Sequence, residues 1–442
     1  MDALRRMINT ARVGARAVVD ARVPYWPAEK IARRQNRRAQ FIIRHAYESV
    51  PYYRALMEEM RLKPDDFRTA ADLARLPLLR ARDIWKDSAR FISSRVDEKT
   101  ALRTYTAGST GVPRSVLLDR EALLSRLIIT ARDRAVLSRF LGRGWRQIQL
   151  FLIPQASNTF KVQAYWDRQL LTRRTLARRT VLPADAPFDA LVKKLNEVRP
   201  HVVFSFGSYA DEFFRYVADR RPQVALPKVW MYGGDMMSRQ GRALAEESLG
   251  CIVYSTYNAI ETGKLGFECE RRKGFHLNVD YCAVRLVDDA GRDVPPGTTG
   301  EIVVSNLFSR AMVLLNYRMG DIGVMAAEPC PCGRNLPLLA HLSGKKMEFL
   351  HFANGVSHIR EVLELLFERE LAGVLQSQLR QRGPSDVLWQ IVPASTIDRT
   401  ALARAILDKS RASFGEDVRV DVQFVDRIER TPGGKLFRVV HA

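Results

Sequence analysis

The stretch "TYTAGSTGVPRSV" (Thr104–Val116) decides how this 442-residue chain is read. It gathers five Ser/Thr hydroxyls, two glycines, one proline and one arginine into a single turn. Gly108 and Gly111 admit backbone conformations that bulkier residues resist. Successive N–H groups can then point inward as an anion-binding nest. Thr106, Ser109 and Thr110 add hydroxyl donors and Arg114 adds a cation, the dense and low-bulk donor set that phosphate oxygens need. The spacing is not the G-x-x-x-x-G-K-[ST] loop of other nucleotide enzymes. Composition alone leaves two readings open, a loop that wraps phosphate and a polar turn joining two strands.

Working outward, residues 1–90 read as mostly helical. "KIARRQNRRAQFIIRHAYESVPYYRALMEEM" carries apolar groups at helical spacing, with Pro51 as a break. The middle of the chain alternates between strands ("RQIQLFLIPQ", "HVVFSF", "KVWMYGG", "CIVYSTY") and helices ("DALVKKLNEVRP", "GSYADEFFRYVADRR", "SRQGRALAEESLG"). Short Gly/Pro links between such elements indicate parallel α/β layering. The basic runs "ARRQNRRAQ" (32–40) and "RQLLTRRTLARR" (168–179) read as helix surfaces. After about residue 275 the pattern becomes two antiparallel strands joined by a polar turn, and "LSGKK" (342–346) looks like a hinge. Beyond it lie an amphipathic helix ("SHIREVLELLFERE") and further strands. The expected fold class is therefore α/β: a large N-terminal domain over 1–343 and a small, mobile α+β lid domain over 344–442. Within the large domain we expect a helical part (1–100), an α/β core (101–270) and a small β subdomain (275–343).

A chain of this length holds two or three domains. Its hydrophobic share of 46% is ordinary for a soluble globular protein. No apolar run reaches the ~18 residues of a membrane helix, and the Arg-bearing N-terminus lacks the apolar stretch of a signal peptide. A cytoplasmic protein with no transmembrane segment is expected. The net charge of +21 comes mostly from arginines scattered along the chain. They form either a plain solvated face or an anion-attracting surface. Nucleic-acid binding would call for basic residues interleaved with exposed aromatics or a known module; neither is found, so no nucleic-acid partner is expected. Five cysteines do not make a disulfide scaffold.

Order and spacing narrow the reading of the opening loop. "YTAGSTGVPR" resembles the phosphate loop of the adenylate-forming enzymes, the superfamily of acyl-CoA synthetases, peptide-synthetase adenylation domains and luciferases. "YNAIE" (257–261), "YRMGDIG" (317–323) and "RTPGGKLFR" (430–438) resemble three further motifs of that superfamily, in its order. Within it, the chain is most similar to the phenylacetate–CoA ligase family. "HAYESVPYYRALMEE", "LARLPLLRARDI", "FSFGSYADEF", "MYGGDMMS", "FECERRKGFHLNVD" and "CPCGRNLPLLAHLSGK" carry that resemblance from about residue 45 to 440.

The resemblance implies ATP-dependent activation of a carboxylic acid, aryl or arylacetic, to an acyl-adenylate, then transfer to coenzyme A. The loop from Thr106 through Gly108, Ser109, Thr110 and Gly111 to Arg114 would hold the β- and γ-phosphates. Glu261 would help hold Mg²⁺, which prefers carboxylate and phosphate oxygens. Tyr257, beside Asn258, would face the adenine, and Asp321 would accept from the ribose hydroxyls. Gly233, Gly234 and Asp235 would lie beside the adenine and the acyl pocket. Lys435 would reach the α-phosphate and the attacking carboxylate, its preceding glycines letting the loop approach. Each residue also has an ordinary reading: a helix cap for Glu261, a strand aromatic for Tyr257, a turn residue for Asp321 and a hairpin lysine for Lys435. Phe151, Phe204, Tyr209, Trp230 and Tyr232 suit the walls of an acyl pocket or a plain core equally well.

The chain departs from the family pattern in places. Asn258 stands for a glycine and Ile260 for a hydroxyl residue. Lys345 stands for an arginine, and Met347–Glu348 for acidic residues. These departures leave room for another acceptor, such as a carrier-protein thiol in a capsule, polysaccharide or secondary-metabolite pathway, and for a catalytically weakened scaffold. A basic binding protein is the rival from a different class, and a homodimer is a further expectation. Cys269, His276, Cys330 and Cys332 are soft ligands suited to a closed tetrahedral Zn²⁺ site that would staple two loops; buried free thiols are the alternative. Cys251 and Cys282 lie in apolar runs and read as core.

Overall fold

The computed structural model describes residues 3–106, 114–142, 147–154, 157–171, 177–358, 360–431 and 434–441. By internal contacts the chain forms two units. One comprises residues 1–147, 155–178 and 255–342; the other comprises 148–154, 179–254 and 343–442.

The first unit begins with the helices Ala3–Arg22, Ala28–Ser49 and Pro51–Glu59. Pro51 occupies a first-turn position, where its missing N–H costs nothing, and it holds Val50 extended (φ −114°, ψ 111°). Ile31, Ala39, Ile42, Ile43 and Ala46 recur at helical spacing and are buried. Full burial stabilises each of the isoleucines by about 1.5–3 kcal/mol. Ile42 and Ile43 join Ala39, Ala46, Tyr53, Met57 and buried residues of the sheet in one core. That sheet runs Cys282–Val287, Thr299–Asn306, Tyr317–Met325, Leu338–Lys345, Phe275–Leu277, Gly263–Phe267 and Ile252–Ala259. The first two strands pair antiparallel, as the sequence predicts. The helix Arg120–Leu141 packs against the helix Ala3–Arg22 and the strand Gly263–Phe267. Asp119 caps it by accepting from the Ala122 N–H at 2.8 Å, and Gly142 ends it in the left-handed region (φ 61°). The other oxygen of Asp119 accepts from the Arg310 and Ala311 N–H groups at 2.7 and 3.0 Å.

The second unit contains the parallel strands Gln147–Leu152, Val202–Ser205 and Val229–Gly233, with helices Phe188–Val198 and Gly207–Arg220. Its C-terminal part is a four-stranded sheet in the order Arg419–Phe424, Asp386–Pro393, Val374–Gly383, Val439–His441. The helix Arg399–Phe414 packs on it, capped by Asp398.

One expectation fails. The basic run 168–179 is not a single helix surface: the helix ends at Gln169, and Ala177–Leu182 is a strand beside Gln147–Leu152 in the sheet. "TVL" supplies β-branched and apolar residues there, and tertiary pairing outweighs the arginines that precede them. Cys251 and Cys282 are core, each 1% exposed. All five cysteines are free thiols.

Candidate active site

In the first unit, Leu102–Thr106 and Arg114–Leu118 form an antiparallel hairpin that pairs Thr106 with Arg114. Gly108, Ser109, Thr110 and Gly111, and the side chains of Thr106 and Arg114, lie outside the described residues. The hairpin therefore fixes only where the two ends of the loop start.

Tyr257 and Asp321, 64 residues apart, stand on the strands Ile252–Ala259 and Tyr317–Met325, which three others separate in the order of the sheet, yet their side chains meet. The Tyr257 hydroxyl donates to Asp321 Oδ2 at 2.7 Å, and both residues are buried. Burial and the adjacent carboxylate push the phenol well above its ordinary pKa, so it stays a donor. Asp321 lies within the strand Tyr317–Met325 rather than in a turn. Asn258, standing where a glycine was expected, sits at a register shift in the pairing with Gly263–Phe267. Its side chain donates to Thr256 Oγ1 at 2.7 Å.

Glu261 sits on the turn that follows, and residues which sequence reading missed hold that turn. Arg126 donates to the Ile260 carbonyl at 2.5 Å, and Asn306 donates to the Glu261 carbonyl at 3.2 Å. The Tyr317 hydroxyl reaches Glu261 Oε1 at 3.5 Å. Burial pushes Arg126 down to about 10, and Glu261 and Asp119 oppose that fall. These bonds hold the backbone of the turn, and the carboxylate it carries is of the ligand type that Mg²⁺ prefers. Arg126 had no readable signal, because its partner is a backbone carbonyl 134 positions away.

In the second unit, Gly233, Gly234 and Asp235 end the strand Val229–Gly233. Asp235 accepts from the Ser208 N–H at 3.1 Å and from its hydroxyl at 2.5 Å, at the start of the helix Gly207–Arg220. There it satisfies a donor that the helix leaves free and meets the positive end of its dipole. Arg430 donates to Ser208 Oγ at 2.8 Å and to the Gly434 carbonyl at 3.1 Å, and it pairs with Glu212. Burial raises the Glu212 carboxyl, and Arg430 opposes the rise. Arg438 pairs with Asp211 on the same helix.

This network seats the Lys435 turn. The Lys435 N–H donates to Thr431 Oγ1 at 3.1 Å, and its carbonyl accepts from the Thr431 N–H at 2.8 Å. Gly434 and Gly234 both have positive φ (85° and 92°), and both face the Phe206 ring. A Cβ on either would come within 2.9 Å of a ring carbon, while one on Gly234 would stand 3.7 Å from Lys435 Cε. The structure thus brings Lys435 to the Gly233–Asp235 segment. Arg430 and Phe206 lie inside "RTPGGKLFR" and "FSFGSYADEF", where neither residue type nor spacing signals their part in seating the turn.

Among the aromatics, Trp230 is core: it stacks on Phe213 at 5.2 Å and its indole N–H donates to Ser205 Oγ at 2.8 Å. Phe151 and Phe204 are only half-buried, 5.5 Å apart. Glu348 is a buried cap whose carboxylate accepts from the Lys345 N–H at 3.3 Å.

Cys269, His276, Cys330 and Cys332 converge in the first unit with all four donor atoms within 4.8 Å of one another. Cys269 Sγ and Cys330 Sγ are 3.7 Å apart, and Cys332 Sγ lies 3.2 Å from His276 Nε2. Two sulfurs each about 2.3 Å from a tetrahedral zinc would be separated by ~3.8 Å, so the donor set fits. Burial, with Arg334 adding to it, pushes His276 down to about 4 and keeps the ring in its neutral, metal-binding form.

No helix among the described residues is long and apolar enough to cross a membrane. The profile of the AMP-binding enzyme family matches residues 10–308, and that of the CapK C-terminal domain matches residues 355–442. A phenylacetate-coenzyme A ligase of Thermus thermophilus is 26% identical, over 94% of this chain and 97% of its own. Protein CapK of Staphylococcus aureus is 19% identical over 91% of this chain and 87% of its own. Among solved structures, a 2-hydroxyisobutyryl-CoA ligase in the postadenylation state with 2-HIB-AMP superposes with a TM-score of 0.75. It shares 19% identity and covers 95% of this chain and 91% of its own.

Proposed function

This chain belongs to the AMP-binding enzyme family, and from that membership we propose that it activates a carboxylic acid with ATP and passes the acyl group to coenzyme A. The observation that carries the reading is the Lys435 turn, seated by Arg430 and Phe206 against Gly234. In the first half-reaction a carboxylate oxygen attacks the α-phosphorus and the bond to pyrophosphate breaks. Lys435 offsets the negative charge that builds on the α-phosphoryl oxygens and the incoming carboxylate. Glu261 would hold Mg²⁺, which would supply charge neutralisation of the phosphates. Asp321 accepts from the ribose hydroxyls, oriented by the Tyr257 hydroxyl, and the 106–114 loop takes the β- and γ-phosphates. In the second half-reaction the thiolate of coenzyme A attacks the acyl carbon and AMP leaves with the bonding pair. The relatives named as phenylacetate-coenzyme A ligases favour aryl and arylacetic acids as the first substrates to try. Both ATP and coenzyme A are available in the cytoplasm, where we place the reaction.

The test is acid-dependent ATP–pyrophosphate exchange over a panel of carboxylic acids that includes phenylacetate. Exchange with at least one acid, followed by coenzyme A-dependent release of AMP, is expected. No exchange with any acid at millimolar ATP would remove the proposal. Lys345 and Met347, which depart from the family pattern at the hinge, favour a second reading of the acceptor, a carrier-protein thiol. Exchange that persists while coenzyme A releases no AMP would select it.

Cys269, His276, Cys330 and Cys332 would hold one structural Zn²⁺, which would tie their two loops together. Elemental analysis should find one zinc per chain. Cys330→Ser should lose the metal and lower the thermal midpoint by about 5 °C or more, since metal binding is folding free energy. A zinc-free protein, or a variant that melts with the parent, would count against the site.

A further inference from the structure

A cavity of about 290 Å³ opens in the first unit, and none of the chemistry above uses it. Its lining brings Arg16, Arg34, Arg37, Arg38 and Arg310 together against a single acid, Glu121. An ordinary solvated basic face spreads its cations outward; here five line one recess. Arg16 is paired with Glu121 at 2.7 Å. Arg34 is braced by Asp20 at 2.8 Å and Asp280 at 3.1 Å, and Arg38 lies over the Tyr281 ring at 4.0 Å. Asp20 and Asp280 are shared with the buried Arg132, so three guanidiniums face two carboxylates. Among the described residues, Arg37 and Arg310 have no carboxylate partner. Arg310 is held in place instead by Asp119, which accepts from its backbone N–H, and by Phe41, whose ring lies 4.6 Å from the guanidinium.

The rest of the lining is of a different kind. Leu307 and Phe308 are buried apolar side chains, Phe41 adds an exposed ring, and buried Ser125 places one hydroxyl among them. Anionic oxygens suit the arginine side, where bidentate contact is available. A carbon skeleton suits the apolar side. The volume lies near the lower end of small-molecule sites.

We propose that this cavity binds a small phosphate monoester, its phosphate held by Arg37, Arg38 and Arg310 and its carbon part set against Phe41 and Phe308. Phe308 also packs against the turn that carries Glu261, since a Cβ on Gly263 would stand 3.2 Å from its ring. An occupant would therefore rest one side chain away from that turn.

Calorimetric titration of the full chain with phenyl phosphate, inorganic phosphate and phenol tests this. Phenyl phosphate should bind most tightly, inorganic phosphate more weakly and phenol least. Reversing two charges with Arg37→Glu/Arg310→Glu should weaken both anions at least about tenfold. Both residues are exposed, so the thermal midpoint should hold. Arg310→Gln, which keeps a planar group over Phe41, should give a smaller loss in the same direction. Lys435→Ala, in the other unit, should leave phenyl phosphate binding unchanged, which separates this cavity from the adenylation chemistry. The proposal falls if the double variant binds phenyl phosphate like the parent, or if Lys435→Ala alone abolishes binding. It also falls if phenyl phosphate does not bind while a DNA duplex does and the double variant loses it, in which case the arginines serve a macromolecule.

Discussion

Lys435→Ala is expected to slow acyl-adenylate formation by about 10²–10³-fold, the cost of removing one preorganised donor from a charge-developing transition state. Attack of one anion on another is opposed by Coulomb repulsion, and a cation at the reacting oxygens acts most strongly once water is excluded. The fold should survive the change. The bonds that shape the turn, Thr431 N–H to the Lys435 carbonyl and Lys435 N–H to Thr431 Oγ1, use backbone atoms of residue 435. Arg430 anchors the preceding residues to Ser208 and Glu212 independently of the lysine side chain. Equilibrium binding of ATP should change by only a few-fold, whereas ATP–pyrophosphate exchange should collapse. Exchange at the parent rate would show that another group meets the α-phosphate.

The second large effect is on stability. Arg132→Met should destabilise the first unit by about 3–5 kcal/mol, read as a fall in the urea midpoint. The Arg132 side chain is 0% exposed. It donates to Asp20 at 3.0 Å, to both oxygens of Asp280 at 2.8 and 2.9 Å, and to Asn278 at 2.7 Å. Truncating it strands buried carboxylates, which costs more than the ion pair itself contributes. Burial alone would raise the Asp280 carboxyl; Arg132, aided by Arg34 and Arg38, reverses that and holds it below the usual carboxylate range. A carboxyl depressed in this way stabilises fully above its unfolded pKa, and the contribution fades as pH drops through the folded value. The parent should therefore lose stability on acidification below about pH 4, and Arg132→Met should lose part of that dependence. Adding Asp280→Asn should recover some of the midpoint, because the two changes share one network. Additive losses would mean that the pair is not coupled.

Much of the architecture was legible because periodicity reports burial. The apolar stripe in 31–46 and the alternation between 147 and 257 both follow from one face meeting a core. Lys435, Asp321 and Tyr257 were legible as residue types in the order that the resemblance implies. The residues that hold them were not. Arg126, Arg132 and Arg430 look like any other arginine among the 70 basic residues of this chain. A buried guanidinium differs from a solvated one only through partners, and these lie 134, 112–148 and 218–222 positions away. Neither pattern nor composition carries that information. The strand Ala177–Leu182 was missed for the opposite reason: its arginines spoke louder than a short β-branched segment whose pairing is set by distant chain.

Asp119 joins the start of one long helix to the backbone of residues 310 and 311, some 190 positions later. The first unit as a whole closes only with the segment 255–342. On a ribosome, the opening third of the polypeptide must emerge and wait, with its helix start only half satisfied and its apolar faces uncovered, until two further stretches follow. Slow closure of distant segments exposes such surfaces to self-association. The discontinuity that fixes the finished enzyme thus makes its birth the interval when it most needs protection.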